Sequence, residues 1–580
     1  MEELSSGKSS LSHLVGNSPS VDVREDCSIG EVRWWKEDTH ACNALRNHEV
    51  STLRLLQVSR SRTPTSNMVS TKDFLFLVAA IALVTIYFYF KWSCMYWQKR
   101  NVRCVKPIFP FGNFLDAMTL RKSLGEVFKD LYERLEGEKL CGTYLFSKPG
   151  LLIRDPNLIK SIMIKDFSHF PDHTFNKNQE IEPLTANLFH LAGEKWKNLR
   201  AKLTPTFTSG KIKMMFQILM ECGYELSNTL QESAKNEEIL EIKDIVARYS
   251  TDVIASCAFG IQCNCLQNPN AEFRQWGRKL FEPSHMAAMN TIFSTLNPKI
   301  LDLIKTKIFD VNVTNYFREM VHETVNYREE NNIRRNDFMQ LLIELKNKGR
   351  IEDEHATHES SDKSDDGLSM DSVIAQAFVF YLAGFETSSA TITFCLYELA
   401  QNPDIQERVR EEIHASLRKY GENVTYDSIQ EMGYLDKVVA ETLRKYPSLP
   451  YLSRECVQSY KIPGSDVVVD KGTPIVIPVL ALHRDPKYYP DPDRFNPERF
   501  NEEEKAKRHR CVYLPFGEGP RICIGMRFGL MQVKVGLVSL LSRYQFCVCK
   551  KTASPLLMDP KISFFSTPLG GVWLQIRRLK

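Results

Sequence analysis

The hydrophobic pattern changes character along the chain. From Phe74 to Phe90 (FLFLVAAIALVTIYFYF) about 17 residues pass without a charge, close to the shortest helix that crosses the hydrocarbon of a bilayer. Lys91, Lys99, Arg100, Arg103 and Lys106 follow, with Trp92, Tyr96 and Trp97 at interfacial positions. This flank predicts a transmembrane anchor over residues 68–105, with the downstream chain on the cytosolic side. Farther on, Asp371–Leu399 (DSVIAQAFVFYLAGFETSSATITFCLYEL) keeps helical character for about 28 residues with apolar positions on nearly all sides. At ~1.5 Å rise per residue it predicts a central buried helix roughly 42 Å long. Between Asp466 and Val479 the pattern shortens to the β-branched runs DVVVDKG and TPIVIPV, which suit small sheets. Long helical patterns dominate elsewhere, so the expected fold class is mainly α, an α+β body with small sheets.

Residues 1–67 are rich in Ser and charge and keep neither period, so they are expected to be a dispensable, poorly structured extension. Arg54, Arg60 and Arg62 there weaken the orientation signal, whereas a start at Met68 leaves only Lys72, offset by Asp73, ahead of the span. After the anchor, KPIFPFGNF reads as a stiff connector into a body covering 106–580. One internal segment, IEDEHATHESSDKSDD at 351–366, is too polar to pack and reads as an acidic loop.

Composition narrows the function classes. With 43% hydrophobic and 25% charged residues the chain can bury a large core. Its 75 basic against 71 acidic residues leave +4, too slight for nucleic acid binding without a concentrated patch, and no such block is present. Fifteen cysteines are an odd number and far too dilute for a disulfide scaffold, which fits a reducing compartment. Cys263/Cys265 and Cys547/Cys549 lack a second pair at zinc spacing and read as structural thiols.

The richest chemistry lies in Leu514–Phe528, LPFGEGPRICIGMRF, which contains Phe516-x-x-Gly519-x-Arg521-x-Cys523-x-Gly525. Chance produces this pattern on the order of once in ten thousand such chains. Glycines at 517, 519 and 525 let the backbone approach a flat ring and aim amide N–H groups at the Cys523 sulfur, donors that tune a thiolate. The stretch resembles the haem-binding loop of the cytochrome P450 superfamily, with every fixed position filled. The resemblance makes Cys523 the axial thiolate of haem b, sets Phe516 over the sulfur and brings the Arg521 fork to a haem propionate.

Other segments extend the resemblance, in order, over Lys106–Lys580. Glu441 and Arg444, one helical turn apart, and Arg499 in PDPDRFNPERF resemble the buried Glu-Arg-Arg triad that holds the scaffold of the haem loop, a structural role. Ala383-Gly384-Phe385-Glu386-Thr387, in the middle of the central helix, is similar to the oxygen-activating step of the family. There the Ala/Gly pair implies room for dioxygen and the Glu386–Thr387 pair implies proton handling. A hydroxyl bonded to its own helix is the plainer reading of Thr387 taken alone. Trp196 and Arg200, four apart in GEKWKNLRAKLTPTF, and Arg454 in LSREC match the family's propionate donors. Lys195, Lys197, Lys202, Lys505, Lys507, Arg508 and Arg510 gather on the elements of the thiolate side, a surface suited to an acidic reductase.

The resemblance implies a membrane-anchored haem-thiolate monooxygenase of the microsomal class, similar to the insect detoxification and vertebrate drug-oxidising branches. It implies O2, a separate NADPH-dependent cytochrome P450 reductase, cytochrome b5 as a further partner, and the endoplasmic reticulum membrane with the body facing the cytosol. The chain carries no Rossmann or flavin fingerprint of its own, in keeping with an external electron supply. Phe189, Phe380, Phe385, Leu449–Leu452 and Phe564/Phe565 are the expected walls of a lipophilic site. The alternatives are a haem-thiolate isomerase or dehydratase acting on peroxides and a non-enzymatic, membrane-tethered haem-binding protein. The acid-Thr step speaks against both.

Overall fold

The computed structural model describes residues 71–175, 178–349 and 367–579. The extension 1–67 and the acidic loop 351–366 lie outside the described residues. By internal contacts the chain separates into two units, residues 1–81 and 82–580. The uncharged run forms a helix, Thr71–Ser93, whose apolar side chains, Phe76, Leu83 and Phe88 among them, are exposed. Two helices among the described residues are long and apolar enough to cross a membrane, this one and Met370–Gln401, and the second is mostly buried within the body.

Helices dominate the body, and among the described residues nine short strands make three sheets. The largest joins β1 (Leu140–Leu145), β2 (Lys148–Ile153), β7 (Pro474–Ile477) and β4 (Leu452–Glu455) in the order β1-β2-β7-β4. Its β2/β7 pair is parallel and the other two pairs are antiparallel. A second sheet runs β3 (Ile239–Glu241), β9 (Trp573–Arg578), β8 (Tyr544–Cys547), and β5 (Tyr460–Lys461) pairs with β6 (Val468–Val469). The two β-branched runs read from the sequence are β6 and β7.

Met370–Gln401 is the axis of the body. Ser369 caps it by accepting the Ser372 N–H, and Asn402-Pro403 ends it because proline opens the next helix. It packs against helices Ile242–Ile254, Met526–Leu541 and Gly433–Lys445. At Gly384 the approach is closest: a Cβ there would lie 2.5 Å from Ile254 Cδ1. The glycine therefore serves helix packing, and the room attributed to the Ala/Gly pair belongs to Ala383, which is exposed between buried Tyr381 and Phe385. One apolar cluster surrounds this helix and another fills the space behind the four-stranded sheet.

Candidate active site

The cysteine loop follows a short helical turn at Arg510–Val512 and leaves into a helix. Gly517 N–H donates to the Leu514 carbonyl at 3.1 Å, Ile522 N–H to Gly519 at 3.0 Å, and Cys523 N–H to Phe516 at 2.9 Å, so the segment folds back on itself. Gly519 holds φ +72°, and a Cβ on it would lie 2.0 Å from the Met163 carbonyl oxygen, which excludes any side chain. Gly525 caps helix Met526–Leu541, which starts three residues after Cys523. The Cys523 side chain is accessible yet surrounded by protein, so it borders an internal hollow. Burial pushes its thiol up, while the Gly525 backbone N–H and Arg200 act in the opposite direction, towards the thiolate. Half-buried Phe516 packs on the core beside this turn.

Four predicted cofactor residues converge here. Arg200 Nη1 donates to the Ile522 carbonyl at 2.9 Å, and the Arg521 guanidinium lies 4.1 Å over the Trp196 ring. The helix Gly193–Leu203 thus holds both sides of the residue pair flanking the sulfur. The Arg521 fork is taken up by backbone: Nε donates to Pro171 at 2.8 Å and Nη2 to Leu191 at 2.8 Å, with Asp172 at 3.4 Å. That is a departure from the expectation that its donors point to a propionate; it contributes charge instead. Arg454, buried on β4, donates to Ser453 at 2.8 Å and keeps its Nε without a partner.

The electrostatics of this group are unbalanced. Burial and the neighbouring Arg454 push the Arg521 guanidinium down to about 9, and burial brings Arg454 to about 10; burial lowers Arg200 as well. All three stay charged at neutral pH, against the single carboxylate of Asp172, which acts on both Arg521 and Arg454. His173, 3.3 Å from Arg454, is held neutral by burial and by the arginines. Three guanidiniums, Arg454 and Arg521 buried and Arg200 half-buried, outnumber the one carboxylate of Asp172, an excess of positive charge that an anionic ligand would balance. A haem, with two propionates to match this excess and an iron to take the Cys523 sulfur, fits the donor set.

Comparison with known proteins decides the family. The Cytochrome P450 family model matches residues 102–574. The chain is 42% identical to Cytochrome P450 6k1 of Blattella germanica over 500 residues, 85% of this chain and 95% of that one. It is 44% identical to Probable cytochrome P450 6a14 of Drosophila melanogaster over 492 residues (83% and 95%), and 42% identical to Cytochrome P450 6a2 of the same organism over 511 residues (87% and 99%). The chain belongs to the cytochrome P450 family. Cytochromes P450 are monooxygenases that carry a haem with an axial cysteine thiolate, so the cofactor and the reaction class follow from membership.

On the central helix of this cytochrome P450, Glu386 is buried and accepts two bonds on one oxygen: Lys243 Nζ at 3.0 Å and Thr567 Oγ1 at 2.9 Å. Lys243 starts the helix Ile242–Ile254 and keeps partial contact with solvent. Thr387 Oγ1 donates to the Ala383 carbonyl at 2.6 Å, the own-helix bond of the plainer reading, and does not bond Glu386. Its lone pairs remain free to accept.

The triad assembles as read. Arg444 grips Glu441 with Nε at 2.7 Å and Nη2 at 2.9 Å, both residues fully buried, and Arg499 Nε stands 3.4 Å from the same carboxylate. Asn496 N–H donates to Glu441 at 2.9 Å.

The aromatic walls divide. Phe189 stacks on His173 at 4.5 Å and meets Phe564 at 5.6 Å; Phe565 meets Phe281 at 5.8 Å, and Phe281 meets Phe385 at 5.2 Å. With Phe564 against Phe565 at 4.8 Å these form one ladder of rings. Phe380 is not part of it: its half-buried ring lies against Phe338 (4.2 Å) and Phe207 (5.3 Å). Tyr451 and Leu452 are also core, and Leu449 is half-buried. On the surface, Lys505, Lys507 and Arg510 pair with Glu502, Glu504 and Glu518, which tempers the basic cluster. Lys243, Thr567, Asp172 and His173 escaped sequence reasoning, since each acts on a partner remote in the chain and none carries a local motif.

Proposed function

We propose that this cytochrome P450 is a membrane-anchored monooxygenase that inserts one oxygen atom into lipophilic, ring-containing small molecules. The net reaction is RH + O2 + NADPH + H+ to ROH + H2O + NADP+, with electrons from a separate NADPH-dependent reductase and cytochrome b5 as a second donor. The observation that carries the reading is the convergence of Arg200, Trp196 and Arg521 on the cysteine loop with Arg454 nearby, three guanidiniums against the one carboxylate of Asp172, an excess of charge that suits a dianionic haem. Bound haem supplies the oxygen-activating chemistry, with the thiolate pushing electron density towards O–O cleavage. Cys523 is its ligand, and the Gly525 N–H stabilises the sulfur anion. Arg454, Arg200 and Trp196 would hold the propionates, and Arg521 would add charge while anchoring the loop.

Protons enter through this chain's own side chains. Lys243, at the solvent edge, holds Glu386 in place through the ion pair; Glu386 would relay protons towards Thr387, whose hydroxyl would turn from the Ala383 carbonyl to hold a proton at Oγ1 for the haem site. The ring ladder from Phe189 to Phe385 binds the substrate and sheds water. An isomerase or dehydratase needs no such supply, and a buried Glu386 paired with a Lys243 that reaches solvent argues against it.

The exposed apolar helix and its basic flank support an endoplasmic reticulum anchor with the body in the cytosol, and the insect relatives support a detoxifying role. The extension 1–67 is taken as non-native or dispensable to the body 106–580, and 351–366 as an acidic loop of that body. The test is NADPH oxidation by the holoenzyme with reductase and a lipophilic aromatic probe. Stoichiometric hydroxylated product supports the reading, and product formed without NADPH or reductase contradicts it. In the same assay Thr387→Ala raises peroxide at the expense of product, whereas tight coupling would remove Thr387 from the proton path.

A further inference from the structure

The triad and the cysteine loop are joined by a side chain outside both. His483 ends the short helix Val479–His483 and is fully buried. Its Nε2 lies 2.8 Å from the Leu514 backbone nitrogen, and its Nδ1 lies 3.2 Å from the Arg444 carbonyl oxygen. A backbone N–H can only donate, so Nε2 must be the bare nitrogen and Nδ1 must carry the proton. The same histidine offers its own carbonyl to Arg444 Nη1 at 2.9 Å. Arg444 and His483 are therefore tied twice, side chain to backbone in each direction.

Both backbone groups that the ring satisfies would otherwise be orphans. The Arg444 carbonyl belongs to the last turn of helix Gly433–Lys445, where the helix supplies no partner, and Leu514 is buried at the entrance of the loop. Tyr513 stacks on the imidazole at 5.3 Å and Tyr489 donates to the Val512 carbonyl at 3.2 Å, so three successive loop residues are held from this side. Two residues beyond Leu514, the Phe516 carbonyl receives the Cys523 N–H at 2.9 Å. Burial and the adjacent Arg444 push the imidazole down to about 3, which keeps Nε2 free to accept throughout the physiological range.

We propose that His483 is the positioning residue that transmits the rigidity of the Glu441–Arg444 pair to the Cys523 loop, as its Nδ1–H tautomer. This rests on the reading of Cys523 as the haem ligand. Two variants of the full-length holoenzyme separate the hydrogen bonds from the bulk. His483→Gln can donate to Arg444 and accept from Leu514; His483→Phe keeps a ring against Tyr513 and makes neither bond. The expected result is a thiolate-type ferrous–carbonyl band in the wild type and His483→Gln. In His483→Phe the band is lost faster and the Leu514 amide exchanges hydrogen about tenfold faster, as loss of one buried bond implies. A His483→Phe protein with the wild-type band and wild-type exchange overturns the proposal alone; a wild type without the thiolate band overturns the reading of Cys523 and the proposal with it. Should His483→Phe fail to fold, nitrogen NMR of the wild-type ferrous–carbonyl protein decides: an Nδ1–H, Nε2-bare imidazole is expected, and a protonated Nε2 overturns the proposal.

Discussion

Lys243 Nζ stands 3.0 Å from Glu386 Oε1, an ion pair between the first turn of one helix and the middle of the longest helix in the molecule. The carboxylate is almost wholly buried and the ammonium is not, so charge enters the body at this point with its partner facing water. Thr567 completes the clamp from the C-terminal hairpin whose tip carries Phe564 and Phe565. The proposed proton supply and the proposed aromatic wall thus share one loop.

Removing the cation should disturb coupling before it disturbs the fold. Lys243→Met is expected to lower the ratio of product to NADPH consumed roughly tenfold, less than the ~10²–10⁴-fold of a direct acid–base group because Lys243 acts through Glu386, with peroxide rising to match. Lys243→Arg should restore most of it. Measurement of product, NADPH and peroxide in one reaction checks this, and unchanged coupling in Lys243→Met would exclude the pair from proton delivery.

Glu441→Ala leaves Arg444 and Arg499 buried without their carboxylate. The expected cost is about 3–5 kcal/mol, enough to yield haem-free protein. Absorbance of the purified variant, compared with its protein content, provides the check; normal haem loading would contradict the assignment.

Alkaline pH should loosen the cofactor. Arg521, brought down to about 9, loses its proton between pH 8 and 10, and the charge excess that matches the propionates shrinks. The sign in the apoprotein is opposite. The unfolded arginine keeps its proton in this window while the native one releases it, so apoprotein stability rises with pH. Haem transfer to a scavenger globin should therefore quicken from pH 8 to 10, and a flat rate would count against the charge argument.

Acid should act through His483. Its folded value of about 3 lies below the ordinary 6.5, so the unfolded chain binds the extra proton, and the stability contributed above pH 6.5 is lost as pH falls towards 3. His483→Gln removes this component. Chemical denaturation of both proteins at pH 7 and 5 should show a smaller loss in the variant; equal losses would place the acid sensitivity elsewhere.

What could be read in the sequence was what a contiguous segment states by itself. The span, the central helix, β7 and the cysteine loop announce themselves through period or motif, and Met370–Gln401 exceeds the read helix by a residue or two at each end. The Glu-Arg pair was legible because a helical turn brings both residues to one face. Lys243, Thr567, Asp172 and His483 were not legible, because each meets its partner through packing of segments far apart in the chain. The packing of Gly384 on Ile254 and of Phe380 on Phe338 was hidden for the same reason: a small residue or a ring reads alike whether it borders a site or a neighbouring helix.

The most direct measurement is the absorption of the ferrous–carbonyl complex of the haem-loaded protein beside that of Cys523→Ser. A thiolate-type band in the wild type that vanishes in the variant is the predicted result. A band typical of an imidazole ligand in the wild type, or a spectrum unaltered by loss of the sulfur, would contradict the account.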